Sequence, residues 1–294
     1  MKFAINGSNG FLGKHFISQA IREGHTVIPF SCFINREVNN DSISELNING
    51  NIDCFIHFAG LAHQKSYCKK QIYNVNVEYP KLIAKKVIKS KIKKFIFISS
   101  IGVHGSMPGK FNSINEYSPY SPENIYSYSK LLAEESLKNL FRNTNTDLTI
   151  LRPPLIFGNN AIGNWLKLKN YIYLGLPFPD FFSGVYKSLI SVEELTRLIL
   201  LVSSRFQLPK ISYVVSHPDP IKLSLLIDSL YLNKFKYSRR IKFPYFISYP
   251  FLKMPNNIVN NLSNSLVLDP SNIIKDLPWK PTNIDLRNQI NKLK

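Results

Sequence analysis

The opening of the chain constrains the fold most strongly, because a strand, a glycine-rich turn and a helix follow one another there. Lys2–Asn6 is a short apolar run that predicts a buried strand. Gly7, Gly10 and Gly13 follow at three-residue spacing, and apolar residues then recur with the spacing of a helix. Such a turn lets backbone approach a pyrophosphate at the N-terminus of the helix. The sequence therefore predicts a dinucleotide-binding βαβ unit.

The end of the second predicted strand, residues 25–30, indicates which dinucleotide the turn holds. NAD binders usually place an acid there for the ribose 2′-hydroxyl, whereas a 2′-phosphate needs room and a cation. Here Ser31 ends the strand and Arg36 follows, with no acid before Glu37. We therefore predict NADP(H) as the preferred cofactor. NAD(H) stays open as the alternative, because the loop could bring Asp41 or Glu45 close to the ribose.

Strands and helices alternate through the middle of the chain, which predicts an α/β fold with a doubly wound parallel sheet. Residues 52–60 and 93–100 have the apolar runs of buried strands, and a helix opens at Asn74 between them. Ligands of such sheets bind outside the carboxyl ends of the strands. Ser99 and Ser100 are therefore expected at the binding edge.

Tyr126 and Lys130 are four residues apart in a helical stretch, so they share one face of the helix. A neighbouring ammonium favours phenolate, and we therefore expect Lys130 to lower the pKa of Tyr126. A tyrosine with a lowered pKa can donate or accept a proton near neutral pH. Together with Ser100 and the glycine turn, the pair predicts an acid/base site beside the dinucleotide.

These motifs come in the order of a known family. The motifs are Gly7/Gly10/Gly13, Phe58-Ala59-Gly60, Asn76, Ser99-Ser100, Tyr126-x-x-x-Lys130 and the run Arg152 to Gly158. The chain resembles the extended short-chain dehydrogenase/reductases, and within them the nucleotide-sugar epimerase/4-ketoreductase branch. Residues 266–269 and 277–281 resemble the C-terminal signature of that branch. The resemblance implies a Rossmann-type sheet with a smaller C-terminal substrate-binding lobe.

The resemblance also implies a division of the chain between the two lobes. Residues 1–155, joined by about 188–204, are expected to form the NAD(P)-binding Rossmann domain. Residues 156–187 and 205–294 are expected to form the substrate-binding lobe. The active site would then lie between the lobes.

The resemblance assigns roles to the individual residues. Tyr126 would be the acid/base, Lys130 would hold the nicotinamide ribose, and Ser100 would hydrogen-bond the reacting oxygen. The predicted cofactor contacts are Gly7, Asn9, Gly10, Phe11, Leu12, Gly13, Ser31, Arg36, Phe58, Ala59, Gly60, Asn76, Ser99, Tyr126, Lys130 and Pro153. The predicted substrate contacts are His63, Ser100, Tyr126, Asn164 and Lys187.

Two reactions fit these residues equally well. The preferred reaction is NAD(P)H-dependent reduction of a dTDP- or UDP-linked 4-keto-6-deoxy sugar, in bacterial surface-polysaccharide (O-antigen, lipopolysaccharide) precursor synthesis. The alternative is an NAD-dependent 4-epimerase of a nucleoside-diphosphate hexose. A noncatalytic NADP-sensing regulator is a third, less favoured hypothesis. Dehydration is disfavoured because Ser100-Ile101-Gly102 stands where dehydratases of the family carry a Thr-Asp-Glu run.

Composition limits the partners. Lys and Arg number 37 against 19 Asp and Glu, a net charge of +18 that attracts anions. The nucleotide-sugar is the expected partner, with no nucleic acid. Between Ser229 and Leu268, basic and aromatic residues interleave, which leaves a weak peripheral membrane contact open. No apolar run approaches the length of a transmembrane segment. The family resemblance leaves a homodimer open as the oligomeric state.

Cysteine usage and the N-terminus indicate the compartment. The three cysteines show no spacing typical of metal ligands, so no metal site is predicted. The N-terminal residues reach Asn6 and Gly7 too soon for the apolar stretch of a signal peptide. We therefore expect a cytoplasmic protein.

Overall fold

A computed structural model describes most of the chain. It leaves out residues 31–32, 35–36, 39–50, 63–66, 106–112, 181–183, 242–263, 282–289 and 291–294. The strands are β1 (Lys2–Asn6), β2 (Thr26–Phe30), β3 (Phe33–Ile34), β4 (Glu37–Val38), β5 (Cys54–His57), β6 (Lys94–Ile98), β7 (Asp147–Arg152), β8 (Leu155–Phe157), β9 (Phe178–Pro179), β10 (Tyr186–Lys187), β11 (Leu189–Ser191), β12 (Ser212–Val214), β13 (Ile221–Lys222) and β14 (Arg240–Ile241).

The α-helices vary in length from a single turn and a half to five turns. They are α1 (Phe11–Arg22), α2 (Lys69–Tyr73), α3 (Tyr79–Lys89), α4 (Ile125–Phe141), α5 (Asn164–Tyr173), α6 (Val192–Ser204), α7 (Leu223–Lys234) and α8 (Ser271–Asp276). A π-helical turn, Asn74–Glu78, joins α2 to α3, and a 3-10 turn, Ile101–His104, follows β6.

Six strands form the central sheet in the order β12-β7-β6-β5-β1-β2, and every neighbouring pair is parallel. The chain leaves β1 toward β2 on one side and later returns to β5 on the other. The carboxyl ends of β1 and β5 therefore flank the point where strand order reverses, which is where such sheets bind ligands.

Helices cover both faces of this sheet. On one face, Phe16 of α1 and Leu198 of α6 pack with Phe3 of β1 in one apolar cluster. On the other face, Ile83 of α3 and Leu137 of α4 belong to a second cluster. Strands buried on both sides read as nearly continuous apolar runs, which is why β1, β5 and β6 were recognisable in the sequence. The predicted doubly wound α/β fold of Rossmann type is confirmed.

A separate core lies under α5 and α7. Trp165 and Ile172 of α5 pack there with Ile227, Leu230 and Tyr231 of α7, all fully or almost fully buried. This cluster shares no residue with the two clusters of the sheet. It gives the C-terminal part of the chain an apolar centre of its own.

The exact division of the chain into lobes stays a prediction, but two segments of residues 205–294 lie against the sheet. Strand β12 pairs with β7 and completes the edge of the sheet. Ile273, Leu277 and Trp279 join the cluster that contains α1 and α6. Both segments bury apolar side chains where the sheet would otherwise leave an edge and a face exposed.

Because α6 packs against the sheet, truncating a buried isoleucine of α6 should lower the free energy of unfolding far more than truncating an exposed isoleucine of α1. Ile199 is fully buried in α6, whereas Ile21 of α1 is 59% exposed. We expect Ile199→Ala to lower the free energy of unfolding by about 2–5 kcal/mol because it leaves a cavity. The matched Ile21→Ala change should cost less than about 0.5 kcal/mol. Urea denaturation of both variants measures the difference, and equal midpoints would contradict the assigned packing.

Candidate active site

The glycine turn between β1 and α1 is packed so closely that side chains are excluded. A Cβ at Gly13 would lie 2.3 Å from the carbonyl oxygen of Gly7. Gly7 has a φ of +70°, and a Cβ there would lie 2.7 Å from the amide nitrogen of Ala59. The turn therefore rests directly on the segment that follows β5.

The N-terminus of α1 is open to a ligand. Gly10 is the N-cap residue, and among the described residues no side chain caps this end of the helix. Its first N–H groups and the positive end of the helix dipole are thus free to receive a pyrophosphate. Asn9 is exposed beside this end, and Phe11 and Leu12 form its half-buried first turn. This geometry fits the predicted dinucleotide.

Asn6 links the carboxyl end of β1 to the carboxyl end of β5. Its side-chain oxygen accepts a hydrogen bond from Ala59 N at 3.2 Å, and its amide nitrogen donates to His57 Nδ1 at 2.7 Å. Burial holds the pKa of His57 well below its usual value, so the ring is neutral. The two strand ends at the switch point are therefore tied together. Phe58, in the segment after β5, packs against Phe16 of α1, with ring centroids 5.3 Å apart.

Gly60 and Asn76 lie close to Lys130 of α4. A Cβ at Gly60 would lie 3.2 Å from Lys130 Nζ and 3.4 Å from Asn76 Oδ1. The Asn76 side chain accepts from Leu61 N at 2.7 Å and donates to Ser129 Oγ at 2.9 Å. Asn76 therefore holds the loop after β5 against α4.

The two serines after β6 have different surroundings. Ser99 is buried, and its hydroxyl donates to Glu134 Oε1 at 2.6 Å. Ser100 is half-buried at the N-cap of the 3-10 turn, where its Oγ accepts from Gly102 N at 3.1 Å. The carbonyl of Pro153, another predicted cofactor contact, accepts from Ile101 N at 2.9 Å. Ser100 alone of the pair faces partly toward solvent.

Helix α4 begins beside Ser100. A Cβ at Gly102 would lie 2.4 Å from Ser127 Oγ and 3.3 Å from Ser100 Oγ, so both hydroxyls lie close to Gly102. Asn124 caps the helix by accepting from Ser127 N at 2.9 Å. Tyr126 lies in this first turn, next to Ser127. The structure thus brings the predicted serine and tyrosine to the same edge of the sheet.

Lys130 lies one turn further along α4 and is 3% exposed. Its ammonium donates to the carbonyl oxygen of Ile98 at 2.9 Å and lies 4.6 Å from the ring centroid of Phe97. The Tyr126 ring centroid is 5.9 Å away. Lysine and tyrosine share one helix face, as the spacing predicts.

The expectation of a lowered pKa for Tyr126 is wrong for this structure. Burial raises the pKa of Tyr126 to about 12. Burial also lowers the pKa of Lys130 to about 8, while Glu134 raises it in part. Removal from water disfavours the charged form of both groups. The resting tyrosine therefore holds its proton firmly.

A fully buried ion pair stands behind the site. Glu134 of α4 and Arg152 of β7 are both 0% exposed, and Arg152 Nη2 donates to Glu134 Oε2 at 2.6 Å. Burial disfavours the guanidinium charge, but Glu134 raises the pKa of Arg152 above its ordinary value. Arg152 Nη1 donates to His104 Nε2 at 3.0 Å, and Nη2 also donates to the Tyr120 hydroxyl at 2.7 Å.

The sequence analysis missed Glu134, His104 and Asn6. Glu134 lies four residues after Lys130, and this spacing was the available signal. His104 and Asn6 gave none, because their partners are 48 and 51 residues away in the chain. Arg152 was noted only as part of a motif.

Two of the predicted substrate residues, Asn164 and Lys187, lie in the C-terminal part of the chain. Asn164 opens α5 and is exposed, directly after Gly163, whose φ is +75°. Lys187 is half-buried in β10, and its ammonium donates to the carbonyl oxygen of Asn264. Burial lowers the pKa of Lys187 to about 8. Their roles toward substrate stay predictions.

Three predicted residues, Ser31, Arg36 and His63, lie outside the described residues. The 2′-phosphate contact and the histidine contact to the sugar therefore stay predictions. Within the described part of the chain, no three His, Cys, Asp or Glu side chains are grouped as a metal site. In the same part, no helix is both long and apolar enough to span a bilayer.

The glycine turn generates a test of cofactor binding. Gly13→Ala places a methyl group 2.3 Å from the Gly7 carbonyl oxygen, whereas a Cβ at Gly184 meets nothing within 4 Å. We expect Gly13→Ala to weaken NAD(P)H binding at least about tenfold, because the helix must move away from the turn. Gly184→Ala should bind as the wild type does. Titration of nicotinamide fluorescence measures both affinities, and equal affinities would contradict this site.

Glu134 generates a test of electrostatics. Glu134→Gln removes the carboxylate that raises the Lys130 pKa, so we expect the basic limb of the activity–pH profile to move to lower pH. The variant also leaves Arg152 unpaired, at a cost of about 3–5 kcal/mol in stability. Glu135→Gln, on the exposed side of the same helix, should change neither. A lower melting temperature with an unmoved limb would reduce Glu134 to a purely structural role.

The chain is similar in sequence to two 4-epimerases. A curated UDP-glucose 4-epimerase of Vibrio cholerae is 24% identical over 298 residues, covering 94% of this chain and 90% of that protein. An N-acetyl-alpha-D-glucosaminyl-diphospho-ditrans,octacis-undecaprenol 4-epimerase of Escherichia coli O157:H7 is 35% identical over 130 residues, covering 43% of this chain and 38% of that protein.

The fold has close structural relatives as well. The crystal structure of a Thermotoga maritima UDP-glucose 4-epimerase with UDP-glucose aligns with a TM-score of 0.80 at 18% identity, covering 99% of this chain and 96% of that one. The model of the NAD dependent epimerase/dehydratase family matches residues 3–167, which is more than half of the chain. The chain therefore belongs to the NAD-dependent epimerase/dehydratase family.

Proposed function

We propose that this protein is an NAD(P)-dependent 4-epimerase of a sugar carried on a diphosphate. The observation that carries the proposal is the meeting of Ser100 with the first turn of α4, which bears Tyr126 and leads to the buried Lys130. This group lies at the carboxyl edge of the sheet that also carries the glycine turn. The Vibrio cholerae relative, similar over nearly the whole chain, supports epimerisation at C4.

Each residue of the group has a distinct task in this proposal. A bound nicotinamide supplies removal and return of hydride at C4. Tyr126 takes the proton of the C4 hydroxyl during oxidation and gives it back after the keto sugar has turned. Ser100 donates a hydrogen bond to the same oxygen and fixes its position. Lys130 is the cation placed to stabilise the tyrosinate that forms.

The state of Tyr126 sets a condition on this order of events. Its pKa of about 12 keeps the phenol protonated at neutral pH before ligands bind. Oxidation of a hydroxyl needs a base, so the phenol must first lose its proton to solvent before it accepts the proton of the C4 hydroxyl. The ammonium of Lys130, 5.9 Å from the ring centroid, lowers the cost of that loss as long as it stays charged.

Ketoreduction, the reaction that the sequence analysis preferred, uses the same groups in one direction only. Tyr126 would then donate its proton once, and the reduced cofactor would be consumed. The full-length similarity to a 4-epimerase favours epimerisation over this reading. The NADP(H) preference rests on Ser31 and Arg36 and stays a prediction.

A second candidate substrate is a sugar attached through diphosphate to a polyprenol. It is supported by the Escherichia coli relative and by an exposed apolar turn after α5, Leu174 to Leu176. Both candidates have the sugar and the diphosphate in common. We place either reaction in the cytoplasm, in precursor synthesis for surface polysaccharides, and leave a homodimer as a prediction.

Tyr126→Phe tests the reaction. We expect the variant to lose about 10²–10⁴-fold of its turnover, because the proton acceptor is gone, while NAD(P) affinity stays unchanged. Tyr128→Phe is the matched control, since Tyr128 is 55% exposed on the same helix. The assay follows interconversion of UDP-glucose with UDP-galactose, and of the N-acetylated pair, without added cofactor.

The outcomes separate the hypotheses. Epimerisation that depends on Tyr126 supports the proposal. Stoichiometric consumption of NADPH or NADH with a 4-keto-6-deoxy sugar nucleotide would replace it with ketoreduction. Cofactor binding without turnover in the wild type would leave the noncatalytic sensor.

A further inference from the structure

The turn after α5 carries an apolar projection. Leu174 is 75% exposed and Leu176 is 43% exposed, on either side of Gly175. Most large apolar side chains of the second core are buried, so two neighbouring exposed leucines need a reason. The turn is rigidly held, as the contacts beneath it demonstrate.

Contacts from the segment after α7 fix this turn. Arg239 Nη1 donates to the carbonyl oxygen of Gly175 at 2.8 Å, and the Tyr231 hydroxyl donates to the carbonyl oxygen of Leu176. The guanidinium carbon of Arg239 lies 5.1 Å from the ring centroid of Phe235 and 5.2 Å from that of Tyr237. We call Lys169, residues 173–176 and residues 234–239 the α5 tip.

The α5 tip combines apolar and cationic side chains. Tyr237 is 55% exposed beside the leucines. The ammonium groups of Lys169 and Lys234 lie 5.1 and 5.7 Å from the ring centroid of Tyr173. Lys236 is exposed between Phe235 and Tyr237 in sequence.

Acidic side chains are few in the described segments around this surface. Residues 164–180 and 223–241 contain only two acids, Asp180 and Asp228. Both accept hydrogen bonds from Arg240, at 2.7 Å each. The two segments carry six Lys and Arg against these two acids, so the segments that bear the leucines have a net positive charge.

The tip lies at a defined distance from the active-site end of the lobe. Helix α5 has ten residues, and at 1.5 Å per residue it is about 15 Å long. Its N-terminus carries Asn164, the residue predicted to meet the diphosphate of the substrate. The tip is at the opposite end.

We propose that the α5 tip docks on an anionic lipid bilayer. Leu174 and Leu176 insert into the acyl region just below the headgroups, and Tyr237 lies at the level of the headgroups. The ammonium groups of the lysines contact the anionic headgroups. Exposed leucines framed by cations match this surface in both polarity and charge. The inference does not depend on which C4 reaction the enzyme performs.

Vesicle flotation tests the proposal. The full chain is mixed with vesicles of phosphatidylcholine and phosphatidylglycerol at low ionic strength, and separately with phosphatidylcholine alone. We expect binding to the anionic vesicles, weaker binding at high salt, and little binding to the neutral ones. Leu174→Glu should reduce affinity for the anionic vesicles about tenfold, because it replaces an inserted apolar group with a repelled charge.

The control keeps the chemistry and changes the place. Ile21→Glu introduces the same carboxylate at an apolar side chain that is 59% exposed on α1. This variant should float as the wild type does. Its equal loss of binding, or failure of the wild type to float at low salt, would overturn the proposal.

Sedimentation of both variants without lipid covers the remaining outcome. A dimer that Leu174→Glu dissociates and Ile21→Glu does not would make the tip a protein interface and overturn the proposal. Flotation uses no sugar substrate. A failed epimerase assay therefore leaves the membrane result intact, and failed flotation leaves the epimerase result intact.

Discussion

The buried ion pair between Arg152 and Glu134 is the interaction on which the site depends. It joins the last residue of β7 to the middle of α4, and Glu134 also accepts from Ser99, directly before Ser100. Arg152 extends the network to His104 at the end of the 3-10 turn. Removing either charge leaves the other unpaired in the core, so the two elements are strongly held in one relative position.

This position matters because the site is assembled from two sides of the sheet edge. One side is the glycine turn, which rests on the segment after β5 through the contact of Gly7 with Ala59. The other side is the first turn of α4, which contacts the turn after β6 through Ser127 and Gly102. Lys130 links them, since it lies between the Ile98 carbonyl oxygen and Gly60.

Burial, rather than neighbouring charge, sets the resting state of the acid/base pair. The spacing of Tyr126 and Lys130 correctly predicted a shared helix face, but the expected direction of the tyrosine pKa was wrong. Spacing says which groups are close, whereas desolvation depends on what the rest of the fold packs around them. In this fold burial raises the pKa of Tyr126 to about 12 and lowers the pKa of Lys130 to about 8, so burial shifts each group toward its neutral form.

The sequence by itself determined the doubly wound sheet, the glycine turn and the shared face of Tyr126 and Lys130. These features depend on local periodicity and on residue types that neighbours in the chain specify. Only the tertiary structure decided that Ser212–Val214 completes the sheet, that Glu134 pairs with Arg152, and that the leucines after α5 are exposed. Each of these depends on segments distant in sequence meeting in space, and neither propensity nor spacing encodes such a meeting.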